Sequence, residues 1–354
     1  MGRSWDMLIS WSNPNIDCKK LHFTREAILK VNWSFLLHLA EENKVLFFLS
    51  KNLSKVPQLK PYVIDCLKKE SDHRSKLLRK LSIFINLLEK ERIDFMVIKT
   101  FGPYGQVGRD IDFLIVKGKN ETRRLVCDLI DMKYRVRLTD GMVYLCWRSN
   151  GDIEVDLYSA LAWWGLRYLK NITVWKRKRE LKIDDCSIYV PSPEDDILIT
   201  CAKTLKDGIL LSDLFFMSLL INEGISFDYI LREAKANGWS LTLSSSLFAM
   251  NFFHKIFYKQ TLIPEKMFES SNFARFFLTV LRCNLTRKKA TLPYKFPIVL
   301  LLCLWIHRIW SHFLSGRIRT AINDTGMLLM QISLYLFRVV FKIFRIAYQE
   351  GSFD

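Results

Sequence analysis

Two aspartates separated by one residue begin an apolar stretch of the chain, and their spacing fits a metal site. They are Asp110 and Asp112, in the segment GRDIDFLIV at residues 108–116. Alternate residues of a β-strand point to the same face, so both carboxylates can reach the same ions while Ile111 and Phe113 anchor the other face. Hard oxygen ligands of this kind suit Mg²⁺, which usually binds one or two carboxylates plus substrate phosphates. The pair therefore predicts a site for Mg²⁺, or for Mn²⁺ in its place.

A third carboxylate is expected from a later strand, IEVDLY at residues 153–158. Its strict alternation places Glu154, Asp156 and Tyr158 on one face and three aliphatic residues on the other. Asp156 is the predicted third ligand, and Glu154 is the alternative because it shares that face. Two ions about 4 Å apart can activate an attacking hydroxyl and stabilise a leaving pyrophosphate. The competing interpretation is a set of solvated turn acids, since an isolated Asp-x-Asp is a common sequence.

The apolar periodicity around these acids predicts an α+β fold, with a small mixed β-sheet flanked by helical regions. The predicted strands are residues 93–99, 111–116, 153–158 and 187–190, together with a hairpin over 134–147 that turns at Asp140-Gly141. A helix is predicted over 121–132. The chain divides into an N-terminal helical region (1–92), a catalytic core (93–190), a helical region packed on that core (191–258), and a linker with basic hydrophobic C-terminal helices (259–354).

Several motifs in order resemble the uncharacterised nucleotidyltransferase family of the polymerase-β-like superfamily. FMVIKT at 95–100, RDIDFLIV at 109–116 and IEVDLY at 153–158 are similar to its "IKG/IKT", "R-x-DID-x-LV" and "VDLH" segments. Downstream, VPSPEDDILI at 190–199, Lys203 and the segment LSDL at 211–214 resemble its helical region. The resemblance spans about residues 77–222.

The resemblance implies Mg²⁺-dependent transfer of a nucleotidyl group from a nucleoside triphosphate, with ATP as the expected donor. It implies one metal ion on all three aspartates that lowers the acceptor's pKa, and a second on Asp110 and Asp112 that holds the triphosphate. Asp156 would assist deprotonation. The acceptor stays open: a sugar phosphate, a protein side chain, an RNA end or a small molecule.

Two positions depart from the family pattern. No Gly-Ser turn precedes the acids to bind the triphosphate, and Tyr158 stands where the family has His. Residues that could bind phosphate instead are Lys99, Thr100, the backbone amides around Gly102 and Gly105, Arg109, and Lys203. Solvent-facing roles are the alternatives for Arg109 and Lys203.

Two alternatives to an enzyme that modifies a small molecule or a protein stay open. One is a catalytically inactive, nucleotidyltransferase-like protein that acts at a membrane or as a scaffold. The other is an RNA-modifying transferase, which would bind RNA in a salt-sensitive manner.

The net charge and the cysteines restrict the class of protein. The formal net charge is +17, and residues 271–354 contain twelve Lys or Arg but three Asp or Glu. A basic surface of this kind attracts nucleotides, nucleic acid or an anionic membrane surface. The eight cysteines are scattered without a disulfide or zinc spacing, and the first residues lack the apolar run of a signal peptide. We therefore expect a cytoplasmic protein.

Two hydrophobic segments, residues 296–314 and 326–348, lie near the end of the sequence. The first is too short for a confident membrane span. The second carries a narrow polar stripe on an apolar cylinder, formed by Gln331, Arg338, Lys342, Arg345 and Gln349. Two interpretations stay open: peripheral association with an anionic membrane surface, or packing of both helices on the preceding bundle. The three bases of the stripe disfavour a true span.

Overall fold

A mixed five-stranded β-sheet lies at the centre of the computed structural model, with helices on both sides. The described residues are 2–13, 31–101, 107–139, 142–149, 151–163, 166–184, 186–264, 268, 271–287, 291–330 and 332–333. The strands are β1 Phe95–Ile98, β2 Ile111–Ile115, β3 Arg135–Thr139, β4 Val143–Trp147, β5 Val155–Tyr158, β6 Ala162–Trp163, β7 Leu166–Arg167, β8 Arg179–Ile183 and β9 Cys186–Val190. The fold is α+β, as the sequence predicts.

The helices precede, interrupt and follow these strands. They are α1 Gly2–Ser12, α2 Trp33–Glu42, α3 Leu46–Leu53, α4 Lys60–Lys90, α5 Lys119–Asp131, α6 Asn171–Lys176, α7 Pro193–Asp207, α8 Leu211–Asn222, α9 Phe227–Ala236, α10 Ser240–Tyr258, α11 Asn272–Arg287, α12 Ile298–Leu314 and α13, residues 318–330. Several begin at recognisable caps: the Ser192 side chain accepts from the amide of Asp195 at the start of α7, next to Pro193 at the first turn.

The strand order of the sheet is β1-β2-β5-β4-β3. Strands β2 and β5 pair in parallel, and the other neighbours pair antiparallel. The parallel pairing sets Asp112 directly beside Asp156. Neighbouring strands lie about 4.8 Å apart, so this register brings carboxylates from two distant segments of the chain together.

Each face of the sheet belongs to a different hydrophobic core. Phe113 and Leu157 pack with Phe84 of α4 and Leu129 of α5 on one side. Met96 and Leu114 face the opposite way and join a larger core built by the remaining helices. The alternation of side chains along β1 and β2 explains why both strands consist of almost continuous apolar residues.

Two short hairpins lie outside the central sheet. The strand predicted at 187–190 is β9, and it pairs with β8 in a separate two-stranded sheet. Strand β8 was not predicted, because RELKI has charged residues at alternate positions and a weak apolar pattern. The predicted turn Asp140-Gly141 lies outside the described residues, although β3 and β4 pair on either side of it as expected.

Part of the stretch at residues 258–295, whose sequence pattern is less regular and which is a candidate linker, is helical in the structure. Residues 272–287 form α11, whose buried residues Ala274, Phe277 and Leu281 recur at helical spacing and join the main core. The sequence pattern is less regular here because exposed positions carry Phe273 and Phe276 as well as Arg275 and Arg282, so apolar residues are not confined to the buried face.

Helix α12 corresponds to the first C-terminal hydrophobic segment and packs on the molecule along one side. Its Arg308 is buried, donating 2.9 Å to Asp324 of α13 and 2.6 Å to the carbonyl of Arg167. Most of the predicted second segment, residues 334–348, lies outside the described residues. In the described part of the chain, no single helix has the length and hydropathy needed to cross a membrane; the bent pair α8 and α9, at 118°, meets that test by length and composition alone.

Candidate active site

Three carboxylates converge at the edge where β2 and β5 begin. Asp110, Asp112 and Asp156 each offer an oxygen, and these atoms all lie within 4.8 Å of one another. Asp112 and Asp156 are buried, whereas Asp110 is half-buried. Glu154 has an exposed side chain and is not part of this cluster. The group therefore has the donor chemistry and the spacing of a divalent-cation site.

The backbone amide of Ile111 donates 3.0 Å to the carbonyl of Glu154, and this bond starts the parallel pairing of β2 and β5. At the next residue, the amide of Asp112 donates 2.8 Å to the hydroxyl of Thr100. Thr100 is fully buried, and its hydroxyl donates 3.2 Å to the carbonyl of Ile98. The side chain predicted to bind phosphate thus holds the strand carrying Asp112, and does not face the cleft.

Asp156 lies in an environment that is unfavourable for a charged carboxylate. Its Oδ1 is buried and has no hydrogen-bond partner among the described residues. Burial, followed by the charges of Asp112 and Asp110, raises the pKa of Asp156 to about 8. Burial also raises the pKa of Asp112 to about 6, with Lys99 opposing and Asp110 adding to the shift. A buried oxygen without a donor and repelling carboxylates are features that a bound cation would relieve.

Lys99 and Tyr158 form a chain of polar contacts that ends at Asp112. The ammonium of Lys99 donates 3.2 Å to the hydroxyl of Tyr158 and lies 4.3 Å from the centre of its ring. The hydroxyl of Tyr158 in turn lies near Asp112 and lowers the pKa of its carboxyl. Lys99 has a left-handed φ of 56°, a rare backbone conformation for a residue with a side chain. Burial lowers the pKa of Lys99, against the opposing charge of Asp112.

Lys203 lies on α7, on the opposite side of the cleft from the sheet acids. Its ammonium donates 2.8 Å to Asp213 of α8, and the second oxygen of Asp213 accepts from the backbone amide of Leu210. Burial alone would lower the pKa of Lys203, but the charge and hydrogen bond of Asp213 raise it above its ordinary value. The lysine is therefore held charged and in place.

Arg109 and the turn before the acids are bound to the N-terminal helices. Arg109 is exposed and donates 2.7 Å to Glu41 of α2. His73 of α4 contacts the carbonyl of Gly108 at 2.8 Å. The backbone amide of Gly108 also donates 2.6 Å to the carbonyl of Thr100. Two of the predicted phosphate-binding residues, Gly102 and Gly105, lie outside the described residues.

The acids open into a cleft of about 560 Å³ between the sheet, the N-terminal helices and α7–α8. Asp110, Asp112, Lys99, Arg109 and Lys203 line it. Asp156 does not; it lies behind the other two acids, next to β4. The cleft thus contains both cationic groups and carboxylates, which is suited to a polyphosphate with its metal ions.

The N-terminal helices supply part of the cleft that the sequence did not indicate. Lys44 lines it from the turn after α2, Phe47 from α3, Lys69 from α4 and Phe216 from α8. These residues are scattered among ordinary amphipathic helices, so no local spacing marks them. Only the tertiary packing of α2–α4 against the sheet reveals that they face the acids.

Comparisons with known proteins were consistent with these observations at the level of family. A sequence model of the uncharacterised nucleotidyltransferase family matches residues 30–253, which include the N-terminal helices α2–α4 as well as the acids. The crystal structure of an antigenic nucleotidyltransferase-like protein from Paracoccidioides brasiliensis is similar over 55% of this chain and 98% of that chain, with 14% identity and a TM-score of 0.32. No curated protein matches the chain.

Proposed function

The chain belongs to the uncharacterised nucleotidyltransferase family, and we propose that it transfers a nucleotidyl group from a nucleoside triphosphate to an acceptor in a Mg²⁺-dependent reaction. The observation that carries the proposal is the convergence of three aspartates, at the start of two neighbouring strands, within 4.8 Å of one another, at the edge of a cleft that Lys99 and Lys203 also line. ATP is the expected donor, and Mn²⁺ is an alternative metal.

The residues present fit a divalent cation. Asp110, Asp112 and Asp156 would hold it, and Oδ1 of Asp156 is a buried oxygen that still needs a partner. When bound, such ions neutralise triphosphate charge and lower the pKa of an attacking hydroxyl. Burial and, after it, repulsion between the carboxylates raise the pKa values of Asp112 and Asp156, which is consistent with a site built for added positive charge.

Lys99, Lys203 and Arg109 take the place of the absent Gly-Ser turn in this proposal. Lys203 is held by Asp213, and Lys99 is held by Tyr158, so both ammonium groups are positioned before substrate arrives. Preorganised positive charge stabilises the phosphate charge that develops during transfer. Phe47 and Phe216 line the same cleft and offer rings on which a nucleobase could stack.

The proposed reaction is an in-line displacement at the α-phosphate. The acceptor oxygen forms a new bond to that phosphorus, while the bond to the bridging oxygen of the β-phosphate breaks and pyrophosphate leaves. The acceptor's proton passes toward Asp156. The acceptor is a sugar phosphate, a protein side chain, an RNA end or a small molecule, and the exposed mouth of the cleft is compatible with any of these.

The test is transfer of radiolabel from each α-labelled nucleoside triphosphate, with Mg²⁺, to components of a cell extract. Labelling of one acceptor class, together with pyrophosphate release, is expected for the wild type. Asp112→Asn should abolish it while the circular dichroism spectrum stays unchanged. Asp131→Asn, which removes an exposed acid at the end of α5, is the control with the same change of charge. Wild-type labelling by a folded Asp112→Asn protein would refute the proposal.

A catalytically inactive scaffold is the alternative, and calorimetry separates the two. An enzyme must bind the triphosphate with Mg²⁺, whereas a scaffold need not. Saturable binding that Asp112→Asn weakens supports the enzyme. Absence of binding by the folded wild-type protein, at millimolar nucleotide and Mg²⁺, supports the scaffold.

A further inference from the structure

The outer face of α12 is apolar where a surface helix is normally polar. Val299, Ile306, Trp310, Phe313 and Leu314 have between 56% and 69% of their surface exposed. Their spacings of seven, four, three and one residues place them on one side of the helix. The rings of Trp310 and Phe313 stack, with centroids 5.9 Å apart. Soluble surfaces rarely present so many large apolar side chains together.

The opposite face of the same helix already satisfies the fold. Leu300, Leu301, Leu304 and Trp305 are buried, and Arg308 is fixed by Asp324 and the carbonyl of Arg167. The exposed apolar residues therefore contribute nothing to the packing seen among the described residues. A helix held rigidly on one side presents the other as a preformed surface.

Neighbouring helices extend this surface. The ring of Phe273 on α11 stacks on His307 of α12, with centroids 5.2 Å apart, and this contact joins the two helices at their outer edges. Phe276 and Val280 follow Phe273 on the exposed side of α11. Helix α13 continues the pattern with exposed isoleucines and a leucine at positions that share one face, namely Ile318, Ile322 and Leu329.

The charge of this region points to the partner. Residues 271–333 contain nine Lys or Arg and one acid, Asp324. That acid is buried and bonded to Arg308, so it does not offset the surface charge. Exposed bases on the three helices and their connections include Arg275, Arg282, Lys295 and Arg319. An apolar surface on a segment with this excess of bases is complementary to a partner whose interior is apolar and whose outer layer is anionic.

We propose that this surface, formed by the outer faces of α11, α12 and α13, docks the protein on an anionic phospholipid bilayer. Helix α12 lies parallel to the membrane plane, with Phe313 and Leu314 among the acyl chains and Trp310 at the headgroup level, where Trp is preferred. Its 17 residues span about 25 Å, less than the hydrocarbon thickness, and its inner face is packed on protein. The docking is interfacial, and it does not depend on the proposed nucleotidyl transfer.

The test is cosedimentation of the full chain with vesicles of phosphatidylcholine and phosphatidylserine (7:3), compared with pure phosphatidylcholine. The wild type should bind the anionic vesicles, and binding should fall when salt is raised from 50 to 500 mM. Trp310→Ser/Phe313→Ser should reduce the bound fraction about tenfold. Ile83→Ser/Ile130→Ser removes two equally exposed apolar residues from α4 and α5, and should leave binding unchanged. All four substituted side chains are exposed, so both variants should fold.

Two outcomes would overturn the proposal. One is failure of the folded wild type to sediment with anionic vesicles, or sedimentation that Trp310→Ser/Phe313→Ser does not alter. The other is a concentration-dependent dimer, observed by analytical ultracentrifugation without lipid, that the same variant dissociates. In that case, the surface binds a second copy of the chain.

Discussion

The hydroxyl of Thr100 accepts a hydrogen bond of 2.8 Å from the backbone amide of Asp112. Thr100, two residues after the end of β1, thus fixes the backbone at Asp112 of β2, and does so from a fully buried position. Its carbonyl also accepts from Gly108, on the turn that leads to the acids. A single side chain and its own backbone therefore join both ends of the loop between β1 and β2.

Replacing Thr100 with Val should remove the hydrogen bond that positions the backbone of Asp112 and leave its carboxylate in place. Val keeps the shape but offers no acceptor, so the buried amide of Asp112 loses its partner. We expect the free energy of unfolding to fall by about 1–3 kcal/mol, as measured by urea denaturation. Thr100→Ser retains the hydroxyl and should preserve most of this bond. A Thr100→Val protein as stable as Thr100→Ser would show that the hydrogen bond is dispensable.

Stability without metal should depend on pH through Asp112 and Asp156. Both pKa values are raised, to about 6 and about 8, so the folded protein binds protons that the unfolded chain releases. Stability is fully present below the ordinary Asp value near 4 and is lost as the pH rises to about 8. Mg²⁺ should restore it, with a rise in melting temperature that is larger at pH 8.5 than at pH 5.5, since protons compete for the same oxygens.

The variant that tests this pH effect is Asp156→Asn, which removes the member of the pair with the larger shift. It should reduce the loss of stability between pH 6 and pH 8, to which the raised pKa of Asp196 also contributes, and diminish the response to Mg²⁺. Differential scanning calorimetry in EDTA and in 10 mM Mg²⁺ measures both. An Mg²⁺ response identical in the wild type and Asp156→Asn would contradict the assignment of Asp156 as a ligand.

Replacing Lys99 with Met should weaken nucleotide binding without unfolding the protein. Burial lowers the pKa of Lys99, which means that its charge is less favourable in the folded protein than in water. Removing this charge should therefore not unfold the protein. A charged donor to a phosphate is lost, and the Kd for the triphosphate should rise about ten- to hundredfold in calorimetry. Lys90→Met, at the exposed end of α4, is the matched control. Unchanged affinity in Lys99→Met would place the triphosphate elsewhere in the cleft.

The central sheet and its acids were predictable because short-range patterns encode them. Alternation over IEVDLY and the apolar run after Asp112 indicated two strands with acids at corresponding positions, and the structure pairs those strands in parallel. The register that sets Asp112 beside Asp156 follows from the parallel pairing of β2 and β5. The 44 positions that separate the two aspartates leave room for α5 and a hairpin, but this spacing does not determine the register.

The other cleft walls could not be predicted, since they depend on packing between distant helices. Phe47 and Lys69 line the cleft because α3 and α4 are packed against the sheet. The burial of Thr100 was equally hidden, since a Thr after a strand can point in either direction. Lys203 and Asp213 are ten positions apart in the sequence and join α7 to α8. This spacing does not predict an ion pair until the two helices have been placed.

The contact between Gly238 and His312 should make the attachment of α12 sensitive to a single methyl group. Gly238 has a φ of +70°, and a Cβ built there would lie 2.3 Å from Cε1 of the fully buried His312 ring. Gly238→Ala must therefore displace α12 or distort the turn after α9, and we expect a loss of roughly 3 kcal/mol or more in the free energy of unfolding. Gly224 has a similar φ of +85° with open space around it, so Gly224→Ala isolates the cost of the backbone conformation, about 1–2 kcal/mol. Equal losses in the two variants, measured by urea denaturation, would show that α12 yields to the added methyl group without cost.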